Sequence, residues 1–400
     1  MSSPNIGAIT PQPVQFIFKT MVYHGSGSTE LTGSEAAKLG ISKAMIITDR
    51  GVRKAELLEV VQKSLSRSQI DYQVFDEVEE DADVNVIHKI ALLIKKTGCD
   101  GIVVVGGGSP ICAGKGAALE VTNRVKTVRE LEGWNKAKVP PLPIICLPTT
   151  AGSGSDVSPG FPVLDYEHQR HFGIGGELVP PRVSILDPRL LTTCPRWPMT
   201  FAGIDALSHA VEALWSNRST PLTDALAYEA IKLVMNNLRE AVFSDNMEAR
   251  LNQQLGCTLA MVAGENAGLG ALHVIGGVCF NLKGPHGYKC GVLLPPIMEF
   301  NLPVCEDKFA RMAVMLGELP LDKTTAELAK LFLRRVKQLL ADLDFPRKFD
   351  KVNLKHEQIP EVVKEARRFS PPFFDNNLRK VTDADIVHIC EATLGGWELD

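Results

Sequence analysis

Short, uninterrupted apolar runs that alternate with helix-length segments constrain the fold of this 400-residue chain more than any other feature. Three of these runs cover residues 44–48, 101–105 and 142–147, and segments with apolar residues at helical spacing stand between them. Strands that are apolar throughout, rather than on one face, are typical of a parallel sheet covered by helices on both sides. The first half of the chain is therefore predicted to be an α/β domain.

The second half of the chain has a different pattern, because Ala, Leu, Glu and Lys recur there at helical spacing with few β-branched runs. This pattern predicts helices without strands. The predicted helices cover residues 199–216, 223–243, 246–263, 266–282, 290–301, 305–316, 324–343, 356–369 and 383–394. We therefore expect two domains, an α/β domain over residues 1–190 and an all-helical domain over residues 191–400.

Composition excludes several classes of partner. A net charge of −4 gives no reason to expect binding to nucleic acid or to an anionic membrane. The nine cysteines show neither CxxC pairs nor the spacing of a disulfide scaffold, which is typical of free thiols in a reducing compartment. The N-terminal residues lack the pattern of a signal peptide, and no run is long enough to span a membrane. We expect a cytoplasmic protein.

Two glycine-rich loops follow predicted strands. The first, Gly106-Gly107-Gly108-Ser109, comes directly after the run GIVVV, and the second is TTAGSGS over residues 149–155. Glycines at a helix N-terminus let backbone N–H groups approach a phosphate, although a plain structural turn explains GGGS equally well. Two such loops at the carboxyl ends of neighbouring parallel strands predict a diphosphate-binding site.

Asp49 ends the predicted strand over residues 44–48. A carboxylate at such a strand end can bind the diol of an adenosine ribose and repel a 2′-phosphate. The alternative is that Asp49 caps the following helix. The sequence leaves both interpretations open.

The segment GIDALSHAVEALW (203–215) holds Asp205 and His209 four residues apart in a helix-forming context. This spacing puts a carboxylate and an imidazole on one helical face, either as half of a metal site or as an ordinary surface pair. Further along the chain, His273 follows a run of small residues and His286 follows a proline. Three imidazoles and one carboxylate suit a divalent transition metal that keeps one position open for substrate.

Together, and in this order, the motifs resemble those of the iron-dependent (group III) alcohol dehydrogenases. The resemblance runs from about residue 16 to the C-terminus. It is carried by GGGSPICAGK (106–115), LPTTAGSGSDV (147–157), the stretch 185–216, AGLGALH (267–273) and GPHG (284–287).

The resemblance implies a Rossmann-like dinucleotide-binding domain followed by an all-α metal-binding domain. The metal ligands that it implies are Asp205, His209, His273 and His286. The cofactor-binding residues that it implies are Asp49, Gly106, Gly107, Gly108, Ser109, Thr149, Thr150, Ser153 and Ser155. The cofactors would be NAD, favoured over NADP by Asp49, and a divalent metal, with Fe²⁺ as the family's metal and Zn²⁺ or Mn²⁺ as alternatives.

The implied activity is reversible hydride transfer between NAD and a small primary alcohol or aldehyde, centred on the metal and using no side-chain nucleophile. An acid-bearing aldehyde such as sulfoacetaldehyde is a further candidate substrate, with Lys283, Lys289 and Arg379 as anion contacts. The resemblance also implies a homo-oligomer, a dimer or larger.

Two positions depart from the family pattern. Cys112 stands where members often carry Asp, and Gly277 stands where many carry a second histidine that is a candidate proton relay. Two other functions stay open. One is a lyase of the dehydroquinate synthase type, which shares this architecture and uses NAD only transiently. The other, suggested by Cys112 and Gly277, is a nucleotide-binding homologue without catalytic activity.

Overall fold

The computed structural model describes residues 14–278, 284–349, 354–369 and 371–399. Its strands are β1 (Met21–His24), β2 (Lys43–Ile47), β3 (Asp71–Phe75), β4 (Gly101–Gly106), β5 (Gly133–Trp134), β6 (Ile144–Pro148), β7 (Gly160–Asp165), β8 (Arg170–Gly175) and β9 (Val183–Leu186). Short 3₁₀ segments cover Ser28–Leu31, Val128–Leu131, Pro188–Leu191 and His356–Gln358.

The α-helices occur throughout the chain. After β9, the described residues contain no regular elements other than α-helices and short 3₁₀ segments. They are α1 (Thr32–Lys38), α2 (Arg50–Lys54), α3 (Leu58–Arg67), α4 (Val84–Thr97), α5 (Gly108–Asn123), α6 (Arg196–Leu214), α7 (Pro221–Phe243), α8 (Met247–Ala267), α9 (Ala271–Val278), α10 (His286–Met315), α11 (Thr325–Asp342), α12 (Ile359–Phe369), α13 (Pro371–Asn376) and α14 (Asp383–Gly395).

A six-stranded sheet forms the centre of the first half, in the order β1-β9-β6-β4-β2-β3, and all of its strand pairs are parallel. Every residue of β4 and of β6 is buried, as uninterrupted apolar runs require. The predicted α/β fold with a parallel sheet, followed by a helical second half, is confirmed. Helices α4 and α5 pack with these strands into one apolar core.

A second sheet of three strands, β5-β8-β7, was not predicted. Its strands β7 and β8 are antiparallel and joined by a turn, while β5 contributes only two residues. The sequence of β7 and β8 contains Pro162 and glycines, which depress strand propensity, so the hairpin depends on tertiary packing. Phe161, Val163 and Phe172 of this sheet are buried in the apolar core of α4, α5 and the large sheet.

The helical half differs from expectation at two places. We predicted separate helices over residues 290–301 and 305–316, but α10 runs through both, with Pro295, Pro296 and Pro303 inside it. Each proline removes one backbone donor, and the remaining bonds and the buried face keep the helix continuous. The predicted helix over residues 266–282 is shorter, since α9 begins after Gly268, which has φ +82°, and residues 279–282 lie outside the described part.

The chain divides into two compact units. One comprises Phe18–Ala202 with Glu240–Leu255 and contains both sheets; the other comprises the segment up to Ile17, Gly203–Arg239 and Gly256–Asp400. The division into residues 1–190 and 191–400 stays a prediction. In the described part of the chain, no single helix is long and apolar enough to cross a membrane; only α8 and α9 taken together, bent by 107°, reach that length and composition.

Candidate metal centre and dinucleotide site

Helix α6 carries three polar side chains along one buried face. Asp205, His209 and Glu212 follow each other at positions i, i+4 and i+7, and all three are nearly inaccessible to solvent. The spacing puts them on adjacent turns of the same face. Burying a carboxylate is costly unless it is paired or binds a cation, so this face needs partners from other helices.

Helix α9 supplies the first of these partners. Glu212 Oε1 accepts a hydrogen bond from the backbone N–H of Leu272 at 2.9 Å, and its Oε2 is hydrogen-bonded to Nδ1 of His273. Leu272 lies in the first turn of α9, where backbone donors have no partner within the helix. Glu212 therefore caps α9 and also orients the His273 ring, leaving Nε2 on the opposite side.

Helix α10 supplies the remaining side chains from its first two turns. His286 Nε2 lies 3.4 Å from Asp205 Oδ1 and 3.5 Å from Cys290 Sγ, while His273 Nε2 lies 3.8 Å from Asp205 Oδ1. One donor atom from each of these four residues falls within 4.8 Å of the others. His209 lies outside that group of four, but its ring stacks on His273 with 4.3 Å between the ring centroids.

The charges of these groups are strongly coupled. Burial opposes ionisation of Asp205, but the nearby imidazoles outweigh it and hold the pKa of this carboxyl well below its ordinary value. Burial lowers the pKa of His209 to about 3, so this imidazole is neutral. Burial also disfavours a charged His273, yet attraction by Glu212 and Asp205 raises its pKa to about 9.

The donor set fits a bound cation. Asp205 Oδ1, His209 Nδ1 and His273 Nε2 are buried and have no hydrogen-bond partner within the described structure. Such groups are rare in folded proteins, and a ligand or an ion is a common reason for them. A carboxylate oxygen with imidazole nitrogens suits a divalent transition metal, and a cation would replace the proton that His273 holds.

The glycine loops meet at the carboxyl ends of β4 and β6. The parallel register pairs Gly106 with Pro148, and the N–H of Thr149 donates to the carbonyl of Gly106 at 3.1 Å. A Cβ atom at Gly107 would lie 3.1 Å from Thr150 Oγ1, and one at Gly108 would lie 2.9 Å from Ser153 Oγ. A side chain at either glycine would press against the hydroxyl groups of the other loop, directly before α5.

The hydroxyl groups of these loops have different surroundings. Ser109 Oγ accepts a hydrogen bond from the N–H of Asp81 at 3.1 Å, while Ser155 Oγ lies 3.6 Å from Cys112 Sγ. Burial raises the pKa of the Cys112 thiol, so this side chain is neutral. Cys112 therefore contributes packing and a weak hydrogen bond where an Asp would add a charge.

Sequence reasoning missed the role of Lys115. Its side chain is fully buried in α5, and Nζ donates to the carbonyls of Ser155, Ser158 and Gly160 at 3.1, 2.8 and 3.0 Å. These bonds hold the end of the second glycine loop and the segment after it against α5. A lysine in an otherwise small and apolar helix segment was the signal that could have revealed this role.

Other predicted residues have structural partners. Asp49 caps α2, because its Oδ1 accepts from the N–H of Val52 at 2.9 Å. Arg379 donates to the carbonyl of Phe300 and lies over that ring, 3.9 Å from its centroid. Lys289 is buried, and Lys283 lies outside the described residues.

Two family models match the chain over most of its length. Residues 19–188 match the model of the iron-containing alcohol dehydrogenases, and residues 199–394 match the C-terminal model of the same family. The chain is 33% identical over 372 residues to a choline dehydrogenase of Bacillus subtilis, covering 90% of both proteins. It is also 33% identical to a 1,3-propanediol dehydrogenase of Citrobacter freundii, covering 94% of this chain and 97% of that protein.

Solved structures agree with this relationship. The alcohol dehydrogenase of Oenococcus oeni superposes with a TM-score of 0.90 at 32% identity, over 95% of this chain and all of the other. The family comprises metal-dependent, NAD-linked oxidoreductases of alcohols and aldehydes, so the chain is an oxidoreductase acting on CH–OH groups. This protein belongs to the iron-containing alcohol dehydrogenase family.

Proposed function

We propose that Asp205, His209, His273 and His286 hold the divalent metal, with Fe²⁺ as the family's ion and Zn²⁺ or Mn²⁺ as alternatives. The observation that carries this proposal is that each of the first three of these residues has a buried donor atom without a hydrogen-bond partner in the described structure. Asp205 and His273 belong to the converging donor cluster, and the His209 ring stacks on His273. His286 adds a second imidazole nitrogen within 3.4 Å of the Asp205 carboxylate. Its side chain is 40% exposed, so substrate can approach the ion from this side.

NAD is proposed to bind at the carboxyl ends of β4 and β6, where ligands bind in open α/β sheets. Its pyrophosphate would meet the N-terminus of α5, whose free backbone N–H groups and dipole favour anions. The residues assigned to the cofactor are Gly106, Gly107, Gly108, Ser109, Thr149, Thr150, Ser153 and Ser155. Asp49 would receive the ribose diol through the carboxylate oxygen that the α2 cap does not use, favouring NAD over NADP.

The reaction that follows is reversible hydride transfer. When bound, the metal supplies Lewis acidity toward the substrate oxygen, and NAD supplies or accepts the hydride. The chain's own contribution is to position these groups: Glu212 fixes the tautomer of His273, and the buried face of α6 excludes water from Asp205. Since Gly277 carries no side chain, the proton would leave through water on the exposed side of His286.

The substrate is proposed to be a short primary alcohol and its aldehyde. Relatives are named choline dehydrogenase, NAD-dependent methanol dehydrogenase and 1,3-propanediol dehydrogenase, and each name denotes a primary alcohol. An acid-bearing aldehyde such as sulfoacetaldehyde is the second candidate. Of its predicted contacts, Arg379 donates one hydrogen bond to the Phe300 carbonyl and lies over the Phe300 ring.

A substrate panel tests this proposal. The purified protein, loaded separately with Fe²⁺, Zn²⁺ and Mn²⁺, is assayed for NADH formation with choline, methanol and 1,3-propanediol, and for NADH consumption with the aldehydes and sulfoacetaldehyde. We expect net NADH formation with at least one primary alcohol. Turnover in which NAD⁺ returns to its oxidised form each cycle would indicate the lyase instead, and the absence of any turnover with bound metal and NAD would indicate the inactive homologue.

The proposed ligands are tested by His273→Ala, which should lose bound metal and activity together. His388→Ala is the control, because it removes an exposed histidine of the same unit that lies apart from the donor cluster. Full activity in a metal-free His273→Ala protein would disprove the assignment.

Two further features are proposed. We place the protein in the cytoplasm, since all eight described cysteines are free thiols. We also propose a homo-oligomer, since β1 lies at the edge of its sheet and Met21 in it is 56% exposed. Light scattering at several protein concentrations would test the second point, and a monomer at all of them would contradict it.

A further inference from the structure

The donor cluster contains a sulfur atom that the implied ligand set does not use. Cys290 is fully buried and follows His286 by four residues in the first turns of α10, so both side chains lie on the same face. Its Sγ is one of the four donor atoms, with those of Asp205, His273 and His286, that lie within 4.8 Å of one another.

Two adjacent glycines of α9 make room for this pair. A Cβ atom at Gly276 would lie 3.3 Å from Cys290 Sγ, and one at Gly277 would lie 3.2 Å from His286 Cε1. Gly276 and Gly277 follow His273 by three and four residues, so they share its face of α9. Because these two positions of α9 carry no side chain, His286 and Cys290 of α10 can lie close to His273.

Three of the separations between the donor atoms lie in the range expected for two ligands of one ion. Zinc bonds to N, O and S ligands of 2.0–2.3 Å imply ligand–ligand distances of about 3.3–3.8 Å. The observed pairs are His286 Nε2 to Asp205 Oδ1 at 3.4 Å, His286 Nε2 to Cys290 Sγ at 3.5 Å, and His273 Nε2 to Asp205 Oδ1 at 3.8 Å. At 3.5 Å the Cys290 thiol is within hydrogen-bond distance of His286 Nε2, and a sulfur so close to an imidazole ligand is also placed to bind the same ion.

We propose that Cys290 binds the same metal ion through its sulfur, in addition to the ligands assigned above. This inference rests on the proposed metal site. As the metal–sulfur bond forms, the S–H bond breaks and its proton passes to the buffer. A thiolate is a soft ligand, so the site should favour Zn²⁺ or Co²⁺ over Fe²⁺ and Mn²⁺ more than a site with only nitrogen and oxygen donors does.

Cobalt substitution tests the assignment without relying on activity. The metal-free protein is loaded with Co²⁺, binding is measured by equilibrium dialysis, and the near-ultraviolet thiolate-to-cobalt charge-transfer band is recorded. We expect this band in the natural protein, its loss in Cys290→Ser and Cys290→Ala, and its retention in Cys305→Ala. Cys305 is a matched control, because it is equally buried in the same helix but lies outside the donor cluster.

The outcomes separate the two proposals. Bound Co²⁺ without a charge-transfer band in the natural protein would disprove the role of Cys290 and leave the metal site intact. Failure to bind Co²⁺, Zn²⁺ or Fe²⁺ would disprove the metal site itself. If circular dichroism shows that Cys290→Ala does not fold, Cys290→Ser is used instead. Its ratio of Zn²⁺ affinity to Fe²⁺ affinity should be lower than that of Cys305→Ala by at least about tenfold.

Discussion

Glu212 holds His273 through a hydrogen bond to Nδ1 and at the same time caps the helix on which His273 lies. The two residues stand 61 positions apart in the chain and are both buried. A carboxylate that orients a metal-binding histidine in this way fixes its tautomer and raises its basicity. Glu212 is therefore a positioning residue of the proposed metal site.

Glu212→Gln should weaken metal binding by about 10–100-fold. The neutral amide still forms a hydrogen bond with His273, but without a negative charge it no longer raises the basicity of this imidazole as a metal ligand. Competition with a chromogenic chelator would measure the affinity, and thermal unfolding of the metal-free protein would report any loss of fold. Glu229→Gln, a half-exposed glutamate of α7, should leave the affinity unchanged. Equal affinities for the two variants would contradict the positioning role.

Gly277→Ala should also weaken metal binding, by about tenfold, which equals ~1.4 kcal/mol. The new Cβ would stand 3.2 Å from His286 Cε1, so the imidazole has to shift from the position in which its Nε2 lies 3.4 Å from Asp205 Oδ1. Gly395→Ala is the control, because a Cβ there meets no atom within 4 Å. Unchanged affinity in Gly277→Ala would show that His286 tolerates the added Cβ.

Lys115→Met should release the second glycine loop. The substitution removes the Lys115 donor from the buried carbonyls of Ser155 and Ser158, while the Gly160 carbonyl keeps its hydrogen bond from the Ser158 hydroxyl. It should destabilise the protein by about 3 kcal/mol. Because that loop carries Thr149, Thr150 and Ser153, NAD affinity should fall while Zn²⁺ binding stays constant. Urea unfolding and fluorescence titration with NADH would measure the two effects. Loss of stability without any loss of NADH affinity would mean that the loop does not contact the cofactor.

Asp165 should make stability depend on pH in the acid range. Hydrogen bonds from Arg129, and then from His168, hold the pKa of this buried carboxyl well below its ordinary value despite the opposing effect of burial. A depressed pKa in the folded state means that its stabilisation is present above about pH 4, the pKa of the unfolded chain, and is lost as the pH falls further.

Asp165→Asn should therefore cost about 2 kcal/mol at pH 7 and progressively less below about pH 4. Urea unfolding of both proteins between pH 7 and pH 3 would show the difference shrinking. Glu167→Gln, which removes the exposed partner of Arg129, should change stability little at any pH. A difference between natural protein and Asp165→Asn that stays constant with pH would rule out this origin.

Local patterns predicted the elements that carry the chemistry. The run GIVVV became β4, because five adjacent apolar residues gain most from burial on both faces of a sheet. The spacing of Asp205 and His209 placed them on one face of α6 for the same kind of local reason, the helical repeat. The hairpin of β7 and β8, by contrast, was not predicted, because its proline and glycines weaken the strand pattern of its sequence.

The tertiary structure alone decided which side chains of different elements meet. Three residues have roles that depend on a partner in another segment. Glu212 bonds the His273 imidazole, Lys115 donates to the carbonyls after β6, and Cys290 lies among the donors around Asp205. The periodicity of apolar residues indicates which residues share a face of one helix, but it does not indicate which other helix packs against that face. Sequence therefore determined the fold class and the chemical types at the site, and packing decided the geometry that lets those types act together.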